Sequence, residues 1–78
     1  MNDYDYKKMG TLIRKIRKNK KMSQEVLSGL ANIGRSHLAM IETGSKNANV
    51  ETLWHIAIAL NMTLSQLFKL YEEESVKQ

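Results

Sequence analysis

An all-α fold is predicted by three features of the sequence. No stretch of useful length alternates apolar with polar residues, five segments repeat apolar residues at three- and four-residue spacing, and cap-forming residues punctuate them. The first segment, about Lys8 to Asn19, sets Met9, Leu12, Ile13 and Ile16 on one face before Asn19, Lys20 and Lys21 turn the chain. The second begins at Ser23, an N-cap type, with Val26, Leu27, Leu30 and Ala31 as its apolar set. Asn32 follows it, a residue that tolerates the left-handed conformation. The third starts near Gly34, carries Leu38 and Ile41, and stops at Gly44. The fourth, about Val50 to Leu60, has Asn49 as its cap. The fifth opens on Thr63, Leu64, Ser65 and Gln66, a capping box in which Thr63 and Gln66 satisfy each other's free amides. It carries Leu67, Phe68, Leu70 and Tyr71 and is expected to fray at the acidic tail.

At 78 residues the chain is read as one domain, with a core over about residues 8–71, an N-terminal arm at 1–7 and an acidic tail at 72–78. With no cysteine, disulfide frameworks, thiol catalysis and thiolate metal sites are excluded together. No apolar run reaches the ~18 residues a membrane span needs. The start, Asn2-Asp3-Tyr4-Asp5-Tyr6, lacks the apolar core of a signal peptide, so cytoplasmic residence is expected. The formal charge is +4, but it is unevenly placed: eight basic residues and no acid lie between Lys7 and Lys21, while Glu72, Glu73 and Glu74 are consecutive. A basic block of this kind fits either a polyanionic partner or a solvated helix face.

The segment Ser23 to Gly44 decides between them. Asn32, Ile33 and Gly34 are too few to let two helices lie antiparallel, so the helices cross steeply, as in a helix-turn-helix. Leu27, Ala31, Ile33, Leu38 and Ile41 then form an apolar seam, leaving Arg35, Ser36, His37, Ala39 and Met40 outside it. A protruding face of small, polar and basic side chains fits the major groove, where Arg reads guanine and Ser reads either base.

The run SQEVLSGLANIGRSHLAMIETG, followed by SKNANVETLWHIAIALNMTLSQLF, resembles the Cro and phage-repressor type of helix-turn-helix family, the lambda-repressor-like fold. Controller proteins of restriction–modification systems are part of that family. The likeness spans roughly Met9 to Phe68. Its strongest elements are Ser23-Gln24-Glu25, Leu27, Ile41-Glu42, Gly44, Leu53, Ala57-x-x-Leu60 and Leu67-Phe68. Ser28 stands where the family usually has Ala, Asn32 where it has Gly, and Ala48 where it has Pro.

The resemblance implies a compact five-helix domain and assigns roles by position. Arg35, Ser36, His37, Ala39 and Met40 are the base-reading candidates, with Arg35 on a guanine the most favoured contact and a phosphate clamp its alternative. Ser23 and Gln24, at the start of the second helix, and Lys46 and Asn47, after the third, are phosphate candidates, as are Arg14 and Lys18 from the basic block. Arg17 and Glu42 are expected to pair and lock the reading helix to the scaffold.

The fourth helix has more apolar surface than a monomer uses. Val50, Leu53, Ile56, Ala57 and Leu60 make a full inward stripe, while Trp54 and Ile58, with Leu64 close by, form a second patch that fits a homodimer interface. The alternative is that Trp54 packs on Tyr4 or Tyr6. Two-fold pairing calls for a near-palindromic operator on double-stranded DNA. The expected function is therefore sequence-specific transcriptional regulation by a homodimer, acting by occlusion or by touching RNA polymerase, with an antitoxin- or adaptor-like protein-binding module as the alternative. The small size leaves no ligand domain, so no small-molecule effector and no cofactor is expected, and no membrane role. Enzymatic activity is not expected, because His37 and His55 lack the flanking carboxylates or spacing for zinc or general-base chemistry.

Overall fold

In a computed structural model the backbone is described for residues 3–76. Five helices follow in order: α1 Tyr6–Asn19, α2 Gln24–Ala31, α3 Arg35–Thr43, α4 Val50–Ala59 and α5 Leu64–Val76. The caps explain most of their boundaries. Ser23 Oγ accepts from the Val26 amide, and Asn49 Oδ1 from the Thr52 amide at 2.8 Å. The Thr63–Gln66 capping box closes in both directions, at 2.9 and 3.1 Å. Asn32 ends α2 with φ 57°, taking the left-handed geometry itself where Gly is usual, and Gly44 ends α3 at φ 84°. Ser28 replaces Ala without leaving a buried hydroxyl orphaned, since its Oγ donates to the Glu25 carbonyl.

Two ends differ from the sequence reading. α1 begins at Tyr6 rather than Lys8, because Asp5 caps it by accepting from the Lys7 and Lys8 amides. The acidic tail does not fray at Glu72: α5 runs on to Val76, and Glu74 meets Lys15 of α1 at 3.2 Å. Residues 1–2 of the arm and 77–78 of the tail lie outside the described residues.

The core is built from Met9, Ile13, Leu27, Leu38, Ile41, Ile56, Leu60 and Leu67, each essentially closed to solvent. Ile33 and Phe68 pack against it half-buried. α1 packs on α3, α2 on α3 and α4, and α5 on α4 and α1. The crossing of α1 over α3 depends on Gly10, where a Cβ would collide with the backbone carbonyl of Ile41. Four residues assigned to the apolar sets of their helices turn out to be exposed: Val26 at 49%, Leu30 at 63%, Val50 at 67% and, marginally, Leu70 at 36%. In α2, Leu27 and Ala31 already fill the contact with α3 and α4, so Val26 and Leu30 fall on the outer side. In α4 the inward stripe starts at Leu53, and Val50, one turn before Trp54, joins the outer ridge instead.

Tyr4 of the N-terminal arm packs against Phe68 and Tyr71 of α5, with ring centroids 5.8 and 5.3 Å apart, and the Asp5 amide donates to the Tyr71 hydroxyl at 2.8 Å. The arm is thus committed to α5. Trp54 remains 54% exposed, and Tyr4, one of the two arm residues considered as its partner, is engaged with Phe68 and Tyr71 instead. No helix among the described residues is long and apolar enough to cross a membrane.

Candidate nucleic-acid interface

The two crossing helices are set by the Asn32–Gly34 turn and by an ion pair at the far end of α3. Arg17 Nε donates to Glu42 Oε2 at 2.7 Å and Nη2 to Oε1 at 3.0 Å, while Nη1 donates to the Met22 carbonyl at 2.8 Å. Both side chains are buried. The hydrogen bond to Glu42 raises the Arg17 pKa above its ordinary value, against the opposing cost of burial. A bidentate guanidinium–carboxylate pair fixes orientation as well as distance, so α3 is held rigidly against α1. The Arg17 and Glu42 side chains expected to pair are brought together.

Leu38, Ile41 and Glu42 are the buried face of α3. Arg35 and Ser36 are exposed, Met40 is 39% exposed, and His37 and Ala39 are half-buried at the edges. The base-reading candidates therefore flank the buried face, and Ser36 and Met40 point most directly away from it. Thr43, one turn beyond Met40 and seven residues from Ser36, is exposed on that outer line, with its hydroxyl donating to the Met40 carbonyl at 3.2 Å. The ion pairs among the described residues, Lys15–Glu74 and Arg17–Glu42, leave Arg35, Arg14, Lys18 and Lys46 free.

The phosphate candidates divide. Arg14, Lys18, Lys46 and Asn47 are exposed. The loop bearing Lys46 and Asn47 is anchored from beneath, because the Met40 carbonyl receives the Ser45 and Lys46 amides at 3.0 and 3.2 Å and Ala48 is buried in the core. Ser23 is occupied as the α2 cap. Its own hydroxyl oxygen accepts from Val26, so the groups left for an anion there are the Gln24 and Glu25 amides, which have no acceptor among the described residues. The Gln24 side chain departs from expectation: its Nε2 donates inward to Glu42 Oε1 at 3.1 Å rather than standing free. The aliphatic stem of Lys7 lies against Gly44, where α3 ends.

Val50, Trp54 and Ile58, each four residues apart on α4, are all more than half exposed, with Leu64 half-buried at the start of α5. No three His, Asp or Glu side chains among the described residues converge as a metal-binding set.

Two short helices crossed at a tight turn, the second clamped by a buried ion pair with its other side open, define a helix-turn-helix module. The helix-turn-helix family model matches residues 13–67, and the chain belongs to that family. It is 35% identical over 75 residues to control protein C.MunI of Mycoplasma sp, covering 95% of this chain and 100% of that protein. It is also 35% identical over 74 residues to the ImmF control region 10 kDa protein of Bacillus phage phi105, covering 95% of this chain and 81% of that one. A solved structure of the restriction-modification controller protein C.Esp1396I, a tetramer in complex with its natural 35 base-pair operator, matches with a TM-score of 0.85 at 29% identity, over 94% of this chain and 96% of that chain.

Proposed function

We propose that this chain is a sequence-specific DNA-binding transcriptional regulator of the controller type, acting as a homodimer on a near-palindromic operator. The observation that carries the reading is the two-sidedness of α3. One side is locked by Arg17–Glu42 and the core, and the other offers Arg35, Ser36 and Met40 with no competing ion pair among the described residues. A rigid helix with an open polar and basic face keeps little conformational freedom to lose on entering a groove. The end-to-end likeness to a control protein and the operator-bound controller structure support the same class.

In this reading Arg35, Ser36, His37, Ala39 and Met40 face base edges. Phosphates are held by the amides at the start of α2, next to Ser23 and Gln24, and by Arg14, Lys18, Lys46 and Asn47. Val50, Trp54, Ile58 and Leu64 bury one another across the two-fold axis, which sets the two reading helices about 34 Å apart, one turn of DNA. Asp and Glu are absent between Lys7 and Lys21, so association with DNA gains from counterion release and weakens steeply with salt.

The test is a gel shift of the full chain against DNA upstream of its own gene and against scrambled DNA, at 50 and 200 mM salt, with the mass of the bound species measured. Selective, salt-sensitive binding in units of two chains is expected. Failure to discriminate upstream from scrambled DNA, with a protein partner bound instead, would replace this reading with a protein-binding module.

A further inference from the structure

We propose that Gln24 is a positioning residue for DNA reading: its side chain ties the phosphate-anchoring start of α2 to the end of the reading helix α3 through Glu42. The inference rests on the DNA-binding reading and deepens it.

A three-residue turn holds two helices together at one end, and their geometry at the open end depends on the contacts made there. At the Asn32–Gly34 end the Ile33 amide reaches the Ser28 carbonyl at 3.0 Å, which fixes the turn. At the open end, eighteen residues apart in sequence, Gln24 Nε2 donates to Glu42 Oε1. That bond closes the α2–turn–α3 unit into a ring. Arg17 Nη2 already occupies the same oxygen, at 3.0 Å, so the two lone pairs of Oε1 are shared between α1 and α2. Glu42 is thus one carboxylate that α1, α2 and α3 all use. Neutralised by Arg17, it does not repel an anion placed nearby.

A primary amide carries two N–H donors, and one of the two on Gln24 is committed to Glu42. The second remains for a phosphate lying at the Gln24 and Glu25 amides. A phosphate gripped there is then two hydrogen bonds from Glu42, the penultimate residue of the reading helix. The register of the backbone contact and the register of base reading become one geometric quantity, and small misplacement of a reading helix is expensive because bidentate base contacts need close alignment.

The experiment is Gln24→Met, which keeps length and helix propensity while removing the donor, compared with wild type for three quantities: thermal midpoint, affinity for scrambled DNA, and affinity for the operator. The expected result is a folded protein with an operator-to-scrambled affinity ratio lowered about tenfold or more, the value of one hydrogen bond to a charged acceptor. Gln24→Lys, a longer donor that reaches Glu42, is expected to recover that ratio. A purely phosphate-binding Gln24 lowers both affinities equally in Gln24→Met and leaves the ratio fixed, which overturns the proposal. A purely structural Gln24 lowers the thermal midpoint while the folded protein keeps its ratio, which overturns it as well. If wild-type protein shows no operator preference, the DNA-binding reading fails, and this proposal falls with it.

Discussion

Arg17 and Glu42 form a buried bidentate pair, 2.7 Å at its shorter contact, that joins α1 to the end of α3. Removing one partner leaves the other charge buried and unpaired. Arg17→Ala is therefore expected to destabilise the fold by about 3–5 kcal/mol, read from urea unfolding midpoints. Because the Arg17 pKa is raised, its contribution is fully present below the ordinary arginine range and is lost only as pH climbs through the still higher folded value. The difference between wild type and Arg17→Ala should therefore show no Arg17 titration between pH 5 and about 9.

Gly10 exists for the close approach of two backbones. Gly10→Ala gains helix propensity but drives a methyl into the Ile41 carbonyl, so the helices must separate. A net loss of about 1–3 kcal/mol is expected from overpacking, and chemical shifts of α3 amides should move along with those of α1. An unchanged or higher thermal midpoint would contradict the close crossing of α1 and α3 at Gly10.

Arg35 carries the sharpest prediction on specificity. Arg35→Ala should leave folding intact, since the side chain is exposed and outside the ion pairs. It should cost ~1–3 kcal/mol of discrimination at one base pair of each half-site, measured by competition with singly substituted operators. Uniform weakening on all sequences would make Arg35 a phosphate clamp.

The α4 ridge predicts assembly. Trp54 and Ile58, both 54% exposed, should be buried in the dimer, and Ile58→Asp should yield a folded monomer by sedimentation, with much weaker operator binding. A dimer that survives both Ile58→Asp and Trp54→Asp would place the interface elsewhere.

Tyr4 predicts an alkaline weakness. Burial first, then the neighbouring Tyr71 and Asp5, push its pKa above the ordinary value of 10.0. A raised pKa means that the folded state holds the phenolic proton more tightly. The stabilisation is therefore complete below pH 10 and is lost as pH rises through the folded value. The arm should loosen from α5 at high pH, followed by ultraviolet tyrosinate absorbance, and Tyr4→Phe should shift that loosening.

Much of this architecture was legible because its determinants are local. Ser23, Asn49 and the Thr63–Gln66 pair announced their caps, and Asn32 and Gly44 their left-handed stops, since each satisfies amides or carbonyls within one turn of itself. Leu53, Ile56, Ala57 and Leu60 followed from spacing alone. Val26, Leu30 and Val50 did not, because an apolar residue at the edge of a helical stripe is buried or exposed according to the crossing angle of its neighbour.

By itself the sequence determined five helices, a tight turn at Asn32–Gly34 and a family resemblance that pairs Arg17 with Glu42. Only the tertiary structure decided that Gln24 faces Glu42, that Gly10 meets the Ile41 carbonyl, that Val50 extends the Trp54–Ile58 ridge and that the acidic tail continues α5. The physical reason is range. Caps and periodicity act within a few residues, whereas these contacts exist only once distant segments have packed and each side chain's surroundings are set by a helix the local sequence does not describe.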